Sequence, residues 1–323
     1  MQESASLSSF LYANITQFFR MRKRLFLSLL LIAAALAVLI FPYISSCIKN
    51  EAALSWEKGW DAWKRREPKE ALECWSHNSF ITELSRRPAK FLYWRIRALE
   101  SLGRTDEAIE LRADMMEKYP MDLYTFMISP NGGFSETHST AAKKEALMFH
   151  PRPWKNEVEA ASKLTGTSEI TIFALMKRES KFHSKAISQS GAVGLMQLMP
   201  ATAEDEAQKL KMSADIYEPE DNILLGANHF SMLEHKFSNE PIKAIAAYNA
   251  GAKTVAKWGD LSSQDWAEWI ESIPYAETRE FVRSVLQNRE VYRILYGGSG
   301  IPLAFIINTT PSAAKTLISM RKK

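Results

Sequence analysis

Cysteine is nearly absent from this chain. The 323 residues include two, Cys47 and Cys74, which allow one disulfide at most and no Cys-x-x-Cys pair. The six histidines, His77, His138, His150, His183, His229 and His235, lack zinc-site spacing. A cysteine cluster, a structural metal and a small disulfide scaffold are therefore not expected. Glycine and proline stand at 13 each, far too few for a collagen-like chain. The chain instead has 46% hydrophobic and 11% aromatic residues, which excludes a disordered chain. At roughly 150 residues per domain, this length allows about two domains, each able to bury a core.

An excess of one charge is also missing from the interior. The net +4 comes from the ends. Residues 1–47 carry Arg20, Arg22, Lys23 and Arg24 against Glu3, and residues 301–323 carry Lys315, Arg321, Lys322 and Lys323 with no acid. The stretch between them is therefore −3, and the balance gives no support to nucleic-acid binding.

No charge interrupts Leu25 to Ile44, a run of 20 residues and long enough to cross a bilayer as a helix. A buried core helix of this length would keep a polar face. The basic cluster of residues 20–24 holds its own end in the cytoplasm, so the chain beyond the run is exported. Ile44-Ser45-Ser46-Cys47 also fits a lipobox, which makes Cys47 a candidate lipidation site, and Met21 is an alternative start that leaves a compact signal n-region. A retained anchor and a lipoprotein both tether the chain to a membrane with its bulk outside the cytoplasm.

Two similar stretches follow, AWKRREPKEALECW from Ala62 and ALESLGRTDEAIELR from Ala98. Each reads as a helix, a short break and a second helix. Ala62 and Ala98 are 36 residues apart, close to the period of about 34 of a tetratricopeptide hairpin. Two units fall short of the three usually needed to stand alone. An ordinary helical hairpin without a ligand is the simpler reading, and Trp56, Trp60 and Trp63 at i, i+4, i+7 read as core. Asn131-Gly132-Gly133 and His150-Pro151-Arg152-Pro153 punctuate the chain, which places a domain boundary near 150. The expected organisation is an n-region 1–24, an apolar segment 25–46, a helical region and linker 47–150, a second domain 151–298 and an unassigned tail 299–323.

The candidate chemistry lies in the second domain. In SEITIFALMKRES, Ser168 is a candidate N-cap, and Ile172, Leu175, Met176 and Glu179 share one helix face. Glu179 thus ends an apolar stripe at the negative end of the helix dipole, and both features disfavour its ionised form. A carboxyl held protonated near neutral pH is a general acid. A polar residue of the last turn is an equally good reading of the stripe alone. Glycines and serines follow, with Gln197 offering an amide for sugar hydroxyls and Met199 an apolar contact. IKAIAAYNAG sets Tyr248 and Asn249 at the C-terminal edge of another helix, and Glu277 sits just inside the next one.

Four motifs in order, Glu179-Ser180, Gly194-Leu195-Met196-Gln197, Ala247-Tyr248-Asn249-Ala250-Gly251 and Ile273-Pro274-Tyr275-Ala276-Glu277-Thr278-Arg279, resemble the soluble lytic transglycosylase (SLT) family over about 150–297. The resemblance implies a mainly all-α chain ending in a goose-lysozyme-like helical domain that acts on peptidoglycan strands. The TPR-like region then implies a protein partner in the cell wall. By motif, Glu179 corresponds to the single catalytic acid/base, Ser188 to a serine that contacts the substrate acetamide, and Gln197, Met199, Tyr248 and Glu277 to cleft residues. Many members have Tyr-Leu where this chain has His229-Phe230. Imidazole can replace that tyrosine's hydrogen bond, and a plain surface histidine is the alternative.

The implied reaction splits the MurNAc-β-1,4-GlcNAc bond without water and leaves a 1,6-anhydro ring. No cofactor or metal is called for. A hydrolase on the same fold would need a second carboxylate, with Glu204, Asp205 and Glu277 as candidates. A glycan-binding scaffold that does not cut is the third reading.

Overall fold

A computed structural model describes residues 43, 45–76, 88–132, 139–238, 240–258, 265–297 and 301–308. The basic cluster, the apolar run of residues 25–44 apart from residue 43, and the tail from 309 onward lie outside the described residues. Among those described the chain is helical, with no strand. No helix among them is long and apolar enough to cross a membrane. The chain divides into two compact units, at Thr105 and Asp106.

The first unit holds α1 (residues 45–64), α2 (Pro68–Ser76) and α3 (Pro88–Ser101). Proline opens both α2 and α3, where its missing N–H has no intrahelical partner to lose. Its core is indole. Trp56 stacks on Trp60 at 5.7 Å and on Trp75 at 5.6 Å, and Trp94 meets Trp60 edge-on at 5.0 Å. Trp75 and Trp94 are fully buried. Gly59 makes room for them, since a Cβ there would lie 2.2 Å from Trp75 Nε1. Cys47 is exposed on α1, and both it and Cys74 are free thiols.

The second unit begins with α4 (Thr105–Lys118), α5 (Leu123–Ile128), α6 (Ser139–Phe149), α7 (Lys155–Thr165) and α8 (Glu169–Glu179). After an irregular segment come α9 (Pro200–Leu210), α10 (Pro219–Lys236), α11 (Pro241–Ala250) and α12 (Ala252–Ala256). It ends with α13 (Trp266–Ser272), α14 (Ala276–Tyr296) and α15 (Leu303–Asn308). At the centre is α8, packed on α7 and α14. Every residue from Ile170 to Met176 is buried. The sequence pattern predicts a single apolar stripe there; the helix is instead enclosed on all sides, as a helix hydrophobic all round must be. Each large apolar side chain of this run contributes about 1.5–3 kcal/mol by leaving water.

One expectation is corrected. Ser168 does not cap α8 through its side chain; its hydroxyl pairs with that of Thr171 at 2.7 Å. The division between compact units falls near 105, whereas the sequence pattern places a boundary near 150. The cause is α5, which packs on α14 and α15. There the Tyr124 hydroxyl donates to Glu271 Oε1, and the Arg283 guanidinium donates to Glu271 Oε2. The start of the supposed tail belongs to this packing, since Leu303, Ala304, Ile306 and Ile307 are buried.

Candidate active site

Glu179 is the last residue of α8, and the chain reverses directly after it. Ser180 closes the helix by donating its backbone N–H to Met176 O. Its buried hydroxyl donates to Leu195 O at 2.9 Å, and Lys181 and Phe182 follow at positive φ. The helix end is thereby fastened to the 194–197 motif. That segment is itself a tight fold: Val193 bridges to Ile187 and to Leu198, and Gly194 N–H donates to Ala186 O at 2.8 Å.

Asn222, on α10, fixes the motif from below. Its Nδ2 donates to Val193 O at 3.0 Å and Ile216 O at 2.9 Å, and its Oδ1 accepts the Met196 N–H at 2.8 Å. Gly194 has φ +79°, and a Cβ there would stand 2.4 Å from Asn222 Nδ2. Gly191, at φ +87°, has nothing within 4 Å of such a Cβ. Gly194→Ala should therefore lower the melting temperature clearly more than Gly191→Ala. Both bear backbone strain of about 1–3 kcal/mol, but only the first also pushes on a buried amide. Equal losses in thermal melts would show that Asn222 is not the constraint.

Electrostatics single out Glu179. Burial pushes its carboxyl up to about 7; the Arg178 charge works against this, and Glu277 adds to it. Half the population is then protonated near neutral pH, which suits both donation and acceptance of a proton. Tyr248 stands in the field of both Glu179 and Glu206. Burial first, then these two carboxylates, holds its hydroxyl well above the ordinary range. It donates to Met196 O at 2.9 Å, with its ring stacked on Phe281 and tilted against His229.

The other candidates are placed less uniformly. Gln197, at φ +49°, gives its amide protons to Ala186 O and Gly194 O, so its Oε1 is the end left to accept from a ligand. Asn249 Oδ1 accepts from Thr278 Oγ1 at 2.6 Å and ties α11 to the start of α14. Ser188 shares a hydrogen bond with Ser190 and accepts from Ala192 N–H. Met199 and Glu277 are exposed. His229 is tied through Nδ1 to Glu206 Oε1 at 3.1 Å.

Glu206 and Asn222 are further candidates, in contact with those above, that the sequence pattern does not single out. Glu206 is 1% exposed, while its neighbours Glu204 and Asp205 face solvent. Burial works to raise its carboxyl, but hydrogen bonds from Lys209 and His229 outweigh this and hold it below the ordinary range. Spacing held the available signal: Glu206 lies three residues after buried Ala203, on the inner face of α9.

Residues 156–268 match the family profile described as the transglycosylase SLT domain. That stretch is similar to an SLT domain. The soluble lytic murein transglycosylase of Salmonella typhimurium is 36% identical over 137 residues, 40% of this chain and 21% of that protein. The membrane-bound lytic murein transglycosylase C of Mannheimia succiniciproducens is 31% identical over 157 residues, 45% of this chain and 40% of that protein. The chain thus spans between a fifth and two fifths of these relatives. Among solved structures, the 70 kDa soluble lytic transglycosylase of Escherichia coli aligns with a TM-score of 0.61 at 20% identity, covering 78% of this chain and 52% of that one. This likeness extends beyond residues 156–268 and is one of fold.

Proposed function

We propose that the chain is a lytic transglycosylase of peptidoglycan, acting at the MurNAc-β-1,4-GlcNAc bond with Glu179 as sole acid and base. The observation that carries this reading is the carboxyl of Glu179, raised to about 7 at the end of a buried helix inside the stretch similar to an SLT domain. Protonated Glu179 donates to the glycosidic oxygen, the C1–O bond of MurNAc breaks, and GlcNAc leaves with its hydroxyl restored. The substrate's own acetamide stabilises the cationic C1. Glu179, now a carboxylate, takes the proton of the C6 hydroxyl as that oxygen closes on C1, and the enzyme regains its starting state. An internal nucleophile brings the proximity advantage of an intramolecular step. The names of the relatives support the substrate class, and the membrane-bound relative supports a tether through residues 25–44 or through Cys47.

The test is mass spectrometry of fragments released from purified peptidoglycan by the full chain in detergent. Ends in 1,6-anhydroMurNAc are expected. Reducing ends, heavier by one water, would instead assign a hydrolase and make Glu277, whose charge already reaches Glu179, the first second carboxylate to examine.

A pH profile follows from the same carboxyl. The acid step needs protonated Glu179, so the cleavage rate should fall about tenfold for each further step of one in pH beyond about 7. A rate already falling above pH 5 would mean an acid of ordinary strength.

A further inference from the structure

A cavity of about 310 Å³ opens between α7, α8 and the C-terminal end of α14. It lies at the N-terminal end of α8, while Glu179 ends the same helix ten residues on, roughly 15 Å away at 1.5 Å per residue. Nothing in the reaction above uses it. Its polar lining comes from Arg152, Ser162, Ser168 and Glu169.

Arg152 is held in an unusual way. Its guanidinium lies 3.9 Å over the Tyr296 ring; Tyr296 stacks on Tyr292 at 5.9 Å, and Tyr292 on Phe173 at 5.5 Å. The two tyrosine hydroxyls donate to His150 O and Pro151 O, which clamps the segment that carries Arg152. The guanidinium has no hydrogen bond or ion pair among the described residues. A half-buried arginine fixed by stacking, with its planar fork of donors unspent, is prepared for a carboxylate.

The facing groups restrict the ligand further. Thr171 and Ile172 both return their N–H to Ser168 O, which leaves the first-turn N–H groups of Glu169 and Ile170 without a helix partner. Glu169 lines the same small space and makes no ion pair with Arg152, and its charge reaches Lys163 on α7. A dianion would meet repulsion from Glu169, and a neutral sugar would find the aromatic faces already covered. Residues of opposite charge that line one cavity and are not paired with each other suit a ligand that carries both charges. The volume is at the small end of the usual range of about 300–1,000 Å³, which limits the ligand to a few small residues.

We propose that this cavity binds a short peptide with both ends free, a zwitterionic dipeptide, its carboxylate on Arg152 and its ammonium on Glu169. The test is titration calorimetry of the full chain in detergent with alanyl-alanine, its C-terminal amide, its N-acetyl form and free alanine. The dipeptide should bind, and each capped form should bind about tenfold more weakly, as expected for loss of one charge-assisted contact. Arg152→Gln should weaken the dipeptide by a similar factor. Glu169→Gln should erase the preference for the free amine over the N-acetyl form. Equal binding of the acid and the amide, absence of dipeptide binding, or full affinity in a folded Arg152→Gln protein overturns the proposal. Alanine binding as tightly as the dipeptide overturns the peptide assignment in favour of a free amino acid. Should Arg152→Gln fail to fold, the acid and amide pair on the unaltered chain still decides. The readout is binding alone, so it stands apart from wall cleavage.

Discussion

Glu179→Gln is expected to abolish wall cleavage and, at pH 8, to raise the melting temperature of the protein. Loss of a positioned general acid and base costs about 10²–10⁴ in rate, and here one carboxyl serves both halves of the proposed reaction, so the upper end applies. The stability effect follows from linkage. Burial raises the folded carboxyl from an ordinary 4.5 to about 7. Glu179 is therefore best tolerated below its unfolded value, and that contribution is lost as pH rises through about 7. A rise of this size corresponds to about 3 kcal/mol at most. Glutamine stays neutral at every pH and avoids the loss. Scanning calorimetry at pH 5 and pH 8 should show the variant gaining on the parent only at the higher pH, while peptidoglycan pull-down persists. A variant that cuts normally would mean another residue is the acid. A variant less stable than the parent at pH 8 would mean that the ionised carboxylate is not strained.

Glu271→Ala should be the most destabilising single change in the second unit. Glu271 is 5% exposed and joins Tyr124 on α5 to Arg283 on α14. Removing it leaves the Arg283 charge buried without this partner, at a cost of about 3–5 kcal/mol. For a unit of this size that lowers the melting temperature by about 10 °C. The double change Glu271→Ala with Arg283→Met removes the stranded charge as well and should recover part of the loss. A single variant that melts with the parent would show that the pair contributes little.

Much of this was readable along the chain where partners are close in sequence. Glu179 at the end of α8, the helix ending at Gly251 and the helix beginning at Ala276 follow from local periodicity and punctuation. The fastening of the motif was not readable. Asn222 reaches Met196 and Val193 across 26 and 29 residues, and no local pattern marks an asparagine as the one that turns inward. Glu206 hides in a run of three acids whose fates differ only by helical phase. Ser168 looks like a cap by type, yet its hydroxyl pairs with Thr171 instead. The proline and glycine punctuation near 150 is real, but α5 is drawn across it by Tyr124, a contact 147 residues long.

The indole cluster of the first unit has an optical consequence. Five of the nine tryptophans, Trp56, Trp60, Trp63, Trp75 and Trp94, lie in that unit with neighbouring ring centroids 5.0–6.4 Å apart. At such separations their excited states couple, so the unit carries a strong, conformation-dependent near-ultraviolet dichroism of its own. The remaining four, Trp154, Trp258, Trp266 and Trp269, belong to the other unit. The chain thus contains an intrinsic reporter that distinguishes loosening of its first unit from loosening of the one that bears Glu179, with no label attached.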